Sequence, residues 1–258
     1  MEAFQGKPIV WITLINYGYV NYTLNFIESM KRHDCVFPFI VYCMDQESMN
    51  ALSKIPNVLC LSALPFIRCM MNKNMTSWNT IDYKRIVFSK LDAIKYSLEL
   101  FKTSSIGYID TDIVLFKDPT STMLSALAEF PEARVISQCD ENCLNCTNRR
   151  RCPNICTGVI VFRQGIESIR LCRYTEKDIQ TNYTDQHCLL KSLNNLNIKY
   201  ITISKHVFIN GAIPGLKDGK IDLPNSAVLL HFNYMSGNLK EYYMNANKMW
   251  YLGYHDRR

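Results

Sequence analysis

Asp110-Thr111-Asp112 stands between two apolar runs, Ser105 to Ile109 and Ile113 to Phe116, the second stopped by Lys117-Asp118-Pro119. Side chains at a period of two, at the C-terminal end of a strand, point to the same side, so both carboxylates can offer oxygens to one hard divalent cation. Mg2+ or Mn2+ held in this way bridges diphosphate oxygens. Alone the pattern is weak, because a solvated turn with an Asp cap reads the same.

A second group of residues has thiol chemistry. Cys139, Cys143, Cys146, Cys152 and Cys156 fall in one stretch, and Cys143-x-x-Cys146 followed by Cys152-x-x-x-Cys156 approaches a four-thiolate zinc spacing with a short gap between the pairs. Arg149, Arg150 and Arg151 between them would lower thiol pKa values and offset thiolate charge. Structural zinc, disulfides and unligated loop thiols all stay open. No aromatic residue is interleaved from Asn142 to Pro153, so the arginines do not read as a nucleic-acid surface.

The elements that must position these residues alternate from the start. Pro8 to Leu14 is a β-rich run, Val20 to His33 carries apolar residues at helical spacing, Phe37 to Met44 is a second strand, Glu47 to Ser53 a short helix and Asn57 to Leu61 a third strand. This predicts a doubly wound sheet whose ligand edge is at the strand C-termini, where the loop starting at Asn16 lies. Ser62 to Thr80, rich in Met and Asn, reads as a long connection over a site. The spacing predicts a helix over Asp82 to Phe101, from whose flank Lys90 reaches toward that edge. Beyond the acidic pair, Thr120 is expected to cap a helix to about Glu129, Val135 to Gln138 and Thr157 to Phe162 to be strands, Ile166 to Tyr174 one helix, and a further helix to begin near Asp185. Strands at Lys199 to Ile203 and Ala227 to His231 complete the body.

The chain has 258 residues, 48% hydrophobic and 20% charged, which excludes a disordered or fibrous protein and predicts a single domain over residues 1–258. Its net charge of +6 suits an anionic small substrate without requiring one. The apolar stretch Ile9 to Ile15 is far shorter than a spanning helix, so neither a signal peptide nor a membrane span is expected. Cysteines scattered through core-like segments favour reduced thiols and a cytosol, bacterial, viral or host; a Golgi lumen would apply only to a chain that had lost an anchor.

Tyr108-Ile109-Asp110-Thr111-Asp112-Ile113-Val114-Leu115-Phe116-Lys117-Asp118-Pro119 resembles the hallmark segment of GT-A glycosyltransferases of the nucleotide-diphospho-sugar transferase family. Thr157-Gly158 with its strand, Asp185-Gln186, Asn210-Gly211, and His231-Phe232-Asn233-Tyr234 with Gly237, Lys240 and Trp250 are similar to further blocks of that family, in its order, so the likeness runs from Val10 to Trp250. It implies an α/β/α sandwich around a central mixed sheet, binding a nucleotide-diphosphate sugar, a UDP-sugar first among them, and Mn2+ or Mg2+.

Carried over by residue, the resemblance implies Asp112 and His231 as metal ligands, with Asp110 on the metal or on ribose. Lys240 would neutralise the departing diphosphate, Asp185 and Gln186 would lie beside the reacting sugar, and the loop Asn16 to Tyr19 would contact the nucleotide, Asn16 by a hydrogen bond and Tyr17 or Tyr19 by stacking on the base. Lys90, Thr157, Gly158, Asn210, Gly211 and Gly237 complete the expected binding set. One departure is Cys156, where the family has Asn. The expected reaction is sugar transfer to a hydroxyl of a glycan, glycoprotein or small acceptor, with retention at the anomeric carbon; inversion would need a base such as Asp140 or Asp185. The competing readings are a binding module without turnover and a metal-dependent nucleotidyltransferase. The latter usually carries a Gly-rich phosphate loop, which Asn16-Tyr17-Gly18-Tyr19 is not.

Overall fold

The computed structural model describes residues 4, 6–67, 73–101, 105–140, 154–181 and 184–253. Among them ten strands and eight helices follow in order. The chain opens with β1 (Val10–Ile15), a single 3-10 turn at Tyr17–Tyr19, α1 (Val20–Arg32), β2 (Phe39–Cys43), α2 (Gln46–Leu52) and β3 (Leu59–Ser62). Then come α3 (Ile81–Leu100), β4 (Ser105–Ile109), β5 (Ile113–Leu115), α4 (Pro119–Glu129), β6 (Val135–Cys139) and β7 (Ile155–Arg163). The last third holds α5 (Ile166–Leu171), α6 (Glu176–Thr181), α7 (Asp185–Asn195), β8 (Tyr200–Ile203), β9 (Phe208–Asn210), β10 (Leu229–His231) and α8 (Leu239–Ala246).

Seven strands form one sheet in the order β3-β2-β1-β4-β7-β6-β8, parallel except where β7 runs against both β4 and β6. A smaller sheet, β5-β10-β9, stands beside it. The central strands are buried on both faces, so alternate residues feed two cores. Val10, Ile12 and Leu14 of β1 pack with Phe88 and Leu91 of α3 and Leu189 of α7, whereas Trp11 and Ile15 pack with Phe26 of α1 and Met123 of α4. That is the α/β/α sandwich the sequence implies. Trp11 fits because its β4 neighbour is Gly107: a Cβ there would lie 2.6 Å from the indole.

Several boundaries differ from those expected, for local reasons. The helix after the acidic pair starts at Pro119, not past Thr120, because Asp118 is the cap and accepts from Thr120 N at 2.7 Å while proline fits the first turn. The stretch from Ile166 to Tyr174 is not one helix. It ends at Leu171, since Tyr174 turns inward to donate its hydroxyl to Asp92 of α3, and α6 then starts behind the Thr175–Asp178 hydrogen bonds. Strand β9 and helix α8 have no counterpart in the sequence reading.

For the site, what matters is where the sheet order reverses. From β1 the chain moves outward to β2 and β3 on one side and later returns to β4 on the other, so a crevice opens beyond the C-termini of β1 and β4. Asn16 follows the first of these strands and Asp110 the second.

Candidate active site

Asp110 leaves β4 with its backbone N–H bonded to Gly158 O of β7 at 2.7 Å, and Asp112 enters β5. The antiparallel register of β10 on β5 sets His231 opposite Ile113, and Phe232 N donates to Asp112 O at 2.9 Å. His231 is thereby carried 119 residues along the chain to the acidic pair: Nε2 lies 3.2 Å from Asp112 Oδ1 and 3.8 Å from Asp110 Oδ2. One ligand atom from each of the three falls within 4.8 Å of the others. Gly158 keeps that space open, because a Cβ there would sit 2.2 Å from His231 Cε1 and 2.8 Å from Asp110 Oδ2.

These residues fit a divalent cation. Two carboxylates and an imidazole are a donor set for Mn2+ or Mg2+, and the imidazole is prepared for it. Gln138 of β6 spends its amide Nε2 on Phe208 O and Ile209 O, at 3.3 and 3.0 Å, so its Oε1 is left to accept from His231 Nδ1 at 2.9 Å. Nδ1 is thereby engaged on the Gln138 side, and Nε2 is the ring nitrogen that faces the carboxylates.

Two lysines balance the pair. Lys90 of α3 donates to Asp110 Oδ2 at 2.7 Å and Lys240 of α8 donates to Asp112 Oδ2. Burial alone would lower the Lys90 ammonium, but Asp110, Tyr108 and Asp185 outweigh it and hold its pKa well above the ordinary lysine value. Lys240 is raised in the same way, burial being overcome mainly by Asp112 and Tyr19. Burial would raise Asp112, yet Lys240 and His231 hold its carboxyl well below the usual range. Asp185, at the start of α7, is 2% exposed and its Oδ2 has no hydrogen-bond partner among the described residues; burial pushes its pKa up, against the pull of Lys90 and Thr157.

Two cavities flank this cluster. The larger, about 560 Å³, holds Lys90, Asp110, Asp112, Cys156, Thr157, Gly158, Asp185, Gln186, His231 and Lys240 of the sequence-expected set. The smaller, on the β1 side, adds Asn16 and Tyr19. Four expected residues line neither. Tyr17 donates its N–H to Asp45 Oδ2 at 2.8 Å, and Gly237 O accepts from Tyr22. Asn210 and Gly211 form a turn in which Gly211 N donates to Asn233 Oδ1 at 2.7 Å, so they hold Asn233, which does line the cavity.

Sequence reasoning missed Gln138, a polar residue within a strand, and quoted Asn233 and Tyr234 only as part of the block with His231, without a role in the site. It named Asp140 only as a base, whereas Asp140 is a hub: Oδ2 accepts from Gln186 Nε2 at 2.6 Å and Oδ1 from Asn233 Nδ2 at 3.1 Å. Of the thiol quartet, Cys143, Cys146 and Cys152 lie outside the described residues, while Cys156 is buried in the cavity wall with Sγ 3.7 Å from His231 Nδ1.

The model of the nucleotide-diphospho-sugar transferase family matches residues 36–244. No curated protein sequence gives a significant match. Among solved structures, the glycosyltransferase GlyE of Streptococcus pneumoniae TIGR4 superposes with a TM-score of 0.60 at 15% identity, over 97% of this chain and 62% of that one. The galactosyltransferase LgtC, solved with donor and acceptor sugar analogues, gives 0.55 at 11%, over 93% and 94%. Mouse xyloside xylosyltransferase 1 gives 0.55 at 11%, over 87% and 97%. The chain spans half the length of another match, the bifunctional glycosyltransferase WbbM. Among the described residues no helix is long and apolar enough to cross a membrane.

Proposed function

The chain belongs to the nucleotide-diphospho-sugar transferase family and has the GT-A fold of glycosyltransferases, and from that premise we propose that it moves a sugar from a nucleotide-diphosphate donor to an acceptor hydroxyl in a metal-dependent reaction. The observation that carries the reading is the convergence of Asp110, Asp112 and His231 at the point where the sheet order reverses. A divalent cation there would neutralise the diphosphate and stabilise it as a leaving group.

The chain's own residues do the rest. Asn16 and Tyr19 border the nucleotide side of the crevice. Lys240, which pairs with Asp112 and lines the larger cavity, would place its ammonium by the diphosphate, whose charge grows as the sugar bond breaks. Lys90 stays on Asp110 and fixes that carboxylate. Asp185 and Gln186 project from the start of α7 into the larger cavity, where the sugar sits. Gln186 is oriented there: its Nε2 is bound to Asp140, which leaves Oε1 for the substrate.

We assign retention of anomeric configuration, as the family resemblance implies. Of the two carboxylates that could act as a base for inversion, Asp140 has both oxygens engaged by Gln186 and Asn233, and we place Asp185 beside the donor sugar and not at the acceptor hydroxyl. A nucleotidyltransferase is not supported, because the N–H groups of the turn after β1 that would cradle phosphate are spent: Tyr17 N on Asp45 and Gly18 N on Lys73 O. The buried free thiols of Cys35, Cys43, Cys172 and Cys188 support a reducing compartment, and the reaction is assigned to one domain over residues 1–258.

Incubation with a panel of nucleotide sugars and Mn2+, UDP-sugars first, tests this reading. Release of nucleoside diphosphate from one donor identifies class and sugar together, and NMR of the released or transferred sugar reports its anomeric configuration. Intact donors throughout would refute the transferase assignment.

A further inference from the structure

Tyr234 is held in a conformation that its own packing does not explain. Its φ is +62°, in the left-handed region that bulky side chains avoid, and 58% of the residue is exposed. It is a member of none of the three apolar clusters, although its neighbour Met235 packs on one of them. What holds it is its hydroxyl, which donates to Asp140 O at 2.5 Å. The phenol oxygen is therefore committed, the ring is fixed at both ends, and its faces are left as the free part of the side chain. That ring lines the larger cavity, with a second exposed aromatic, Trp78, on the same lining.

The surroundings define what such a ring would meet. Asn233, Gln186 and Asp140, all polar, lie in the same cavity lining, and Asp140 joins them to Tyr234. An apolar face bordered by amides and a carboxylate is the complement of a pyranose, which offers C–H groups on its ring face and hydroxyls on its edge. A strained, exposed aromatic at a site mouth is kept for contact with a ligand, and a pre-fixed one costs less ordering on binding.

Resting on the transferase reading, we propose that Tyr234 is the acceptor platform: its ring stacks on the pyranose of a saccharide acceptor, so the acceptor is a sugar and not a non-carbohydrate hydroxyl. The chain Tyr234–Asp140–Gln186 then ties acceptor position to the residue placed beside the donor sugar.

Saturation-transfer NMR with methyl pyranosides of glucose, galactose, mannose and N-acetylglucosamine tests this without donor or turnover. In the wild type at least one sugar should receive saturation, strongest on its ring C–H protons, and Tyr234→Phe, which keeps the ring but loses its anchor on Asp140 O, should fall between the wild type and the ring-less variants. Tyr234→Gly removes the ring while relieving the backbone; it should melt no lower than the wild type and bind that sugar about tenfold more weakly, as loss of an aromatic stack implies. Should the glycine variant not fold, Tyr234→Asn, which also tolerates the left-handed region, carries the same comparison. Equal saturation in wild type and ring-less variants, or none to any of the four sugars, overturns the platform. Failure of the transferase reading would show separately, as wild-type protein that releases no nucleoside diphosphate from any donor.

Discussion

Gln138 and His231, 93 residues apart, meet at 2.9 Å, Gln138 Oε1 accepting from His231 Nδ1 beneath the acidic pair. Since both hydrogens of the Gln138 amide go to strand β9 carbonyls, the glutamine can only accept, and the imidazole can only present Nε2 to Asp110 and Asp112. Outer-shell partners of this kind typically contribute 10- to 100-fold, roughly, to metal affinity. Gln138→Leu is therefore expected to weaken Mn2+ binding by about that factor in a calorimetric titration, and to lower stability by about 1–3 kcal/mol through the carbonyls left unpaired. Unchanged Mn2+ affinity would remove Gln138 from the account.

Gly158→Ala separates the fold from the site. The added methyl overlaps His231 Cε1 and Asp110 Oδ2, both on the metal-facing side, so it should displace the histidine while the β4–β7 pairing persists. A cooperative melt with loss of Mn2+ binding is the expected pair of results.

Lys240→Met leaves Asp112 buried without its ammonium. Breaking a buried pair of this kind costs about 3–5 kcal/mol, and Mn2+ should restore part of the loss because a cation again faces the carboxylate. The pH dependence has a definite sign. In the wild type the Asp112 carboxyl titrates below its unfolded value, so its contribution is present above the ordinary carboxylate range and lost as pH falls through the depressed folded pKa. In the variant burial still raises the carboxyl but the Lys240 ammonium no longer opposes it, and the loss should begin at higher pH. Melting curves from pH 2 to about 7, with and without Mn2+, measure both effects.

How much of this was legible in the sequence depended on whether a residue's value was local. The acidic pair, the alternation of strands and helices, and Lys90 on its helix flank could be read from spacing. The roles of Gln138, Asn233 and Asp140 could not, because each acts through partners brought by β9, β10 or α7 from far along the chain. Asn210-Gly211 matched a family block yet supports Asn233 from behind, a distinction that only the turn geometry makes. Helix α8 went unread although it carries Lys240, since its apolar stripe is short and Met244 is its one buried residue.

Asp185→Asn should trade activity for stability. Burial raises its carboxyl above the unfolded value, so folding is favoured while the group is protonated and that stability is lost as pH rises through the folded pKa. The neutral amide escapes this cost, and the variant should melt higher than the wild type at pH 7 but not at pH 3, roughly the lower edge of the carboxylate range. A carboxylate beside the reacting sugar should at the same time take on the order of 10²-fold from kcat when neutralised. Near-normal kcat would make Asp185 structural and shift attention to Asp140.

The most direct test of the central claim is nucleoside diphosphate release from the productive nucleotide sugar, followed in Mn2+, in excess chelator, and with Asp112→Asn. Release should need the cation, stop in chelator, return when Mn2+ is restored, and be abolished in Asp112→Asn although that variant still folds. Full release in chelator, or from Asp112→Asn, would contradict it.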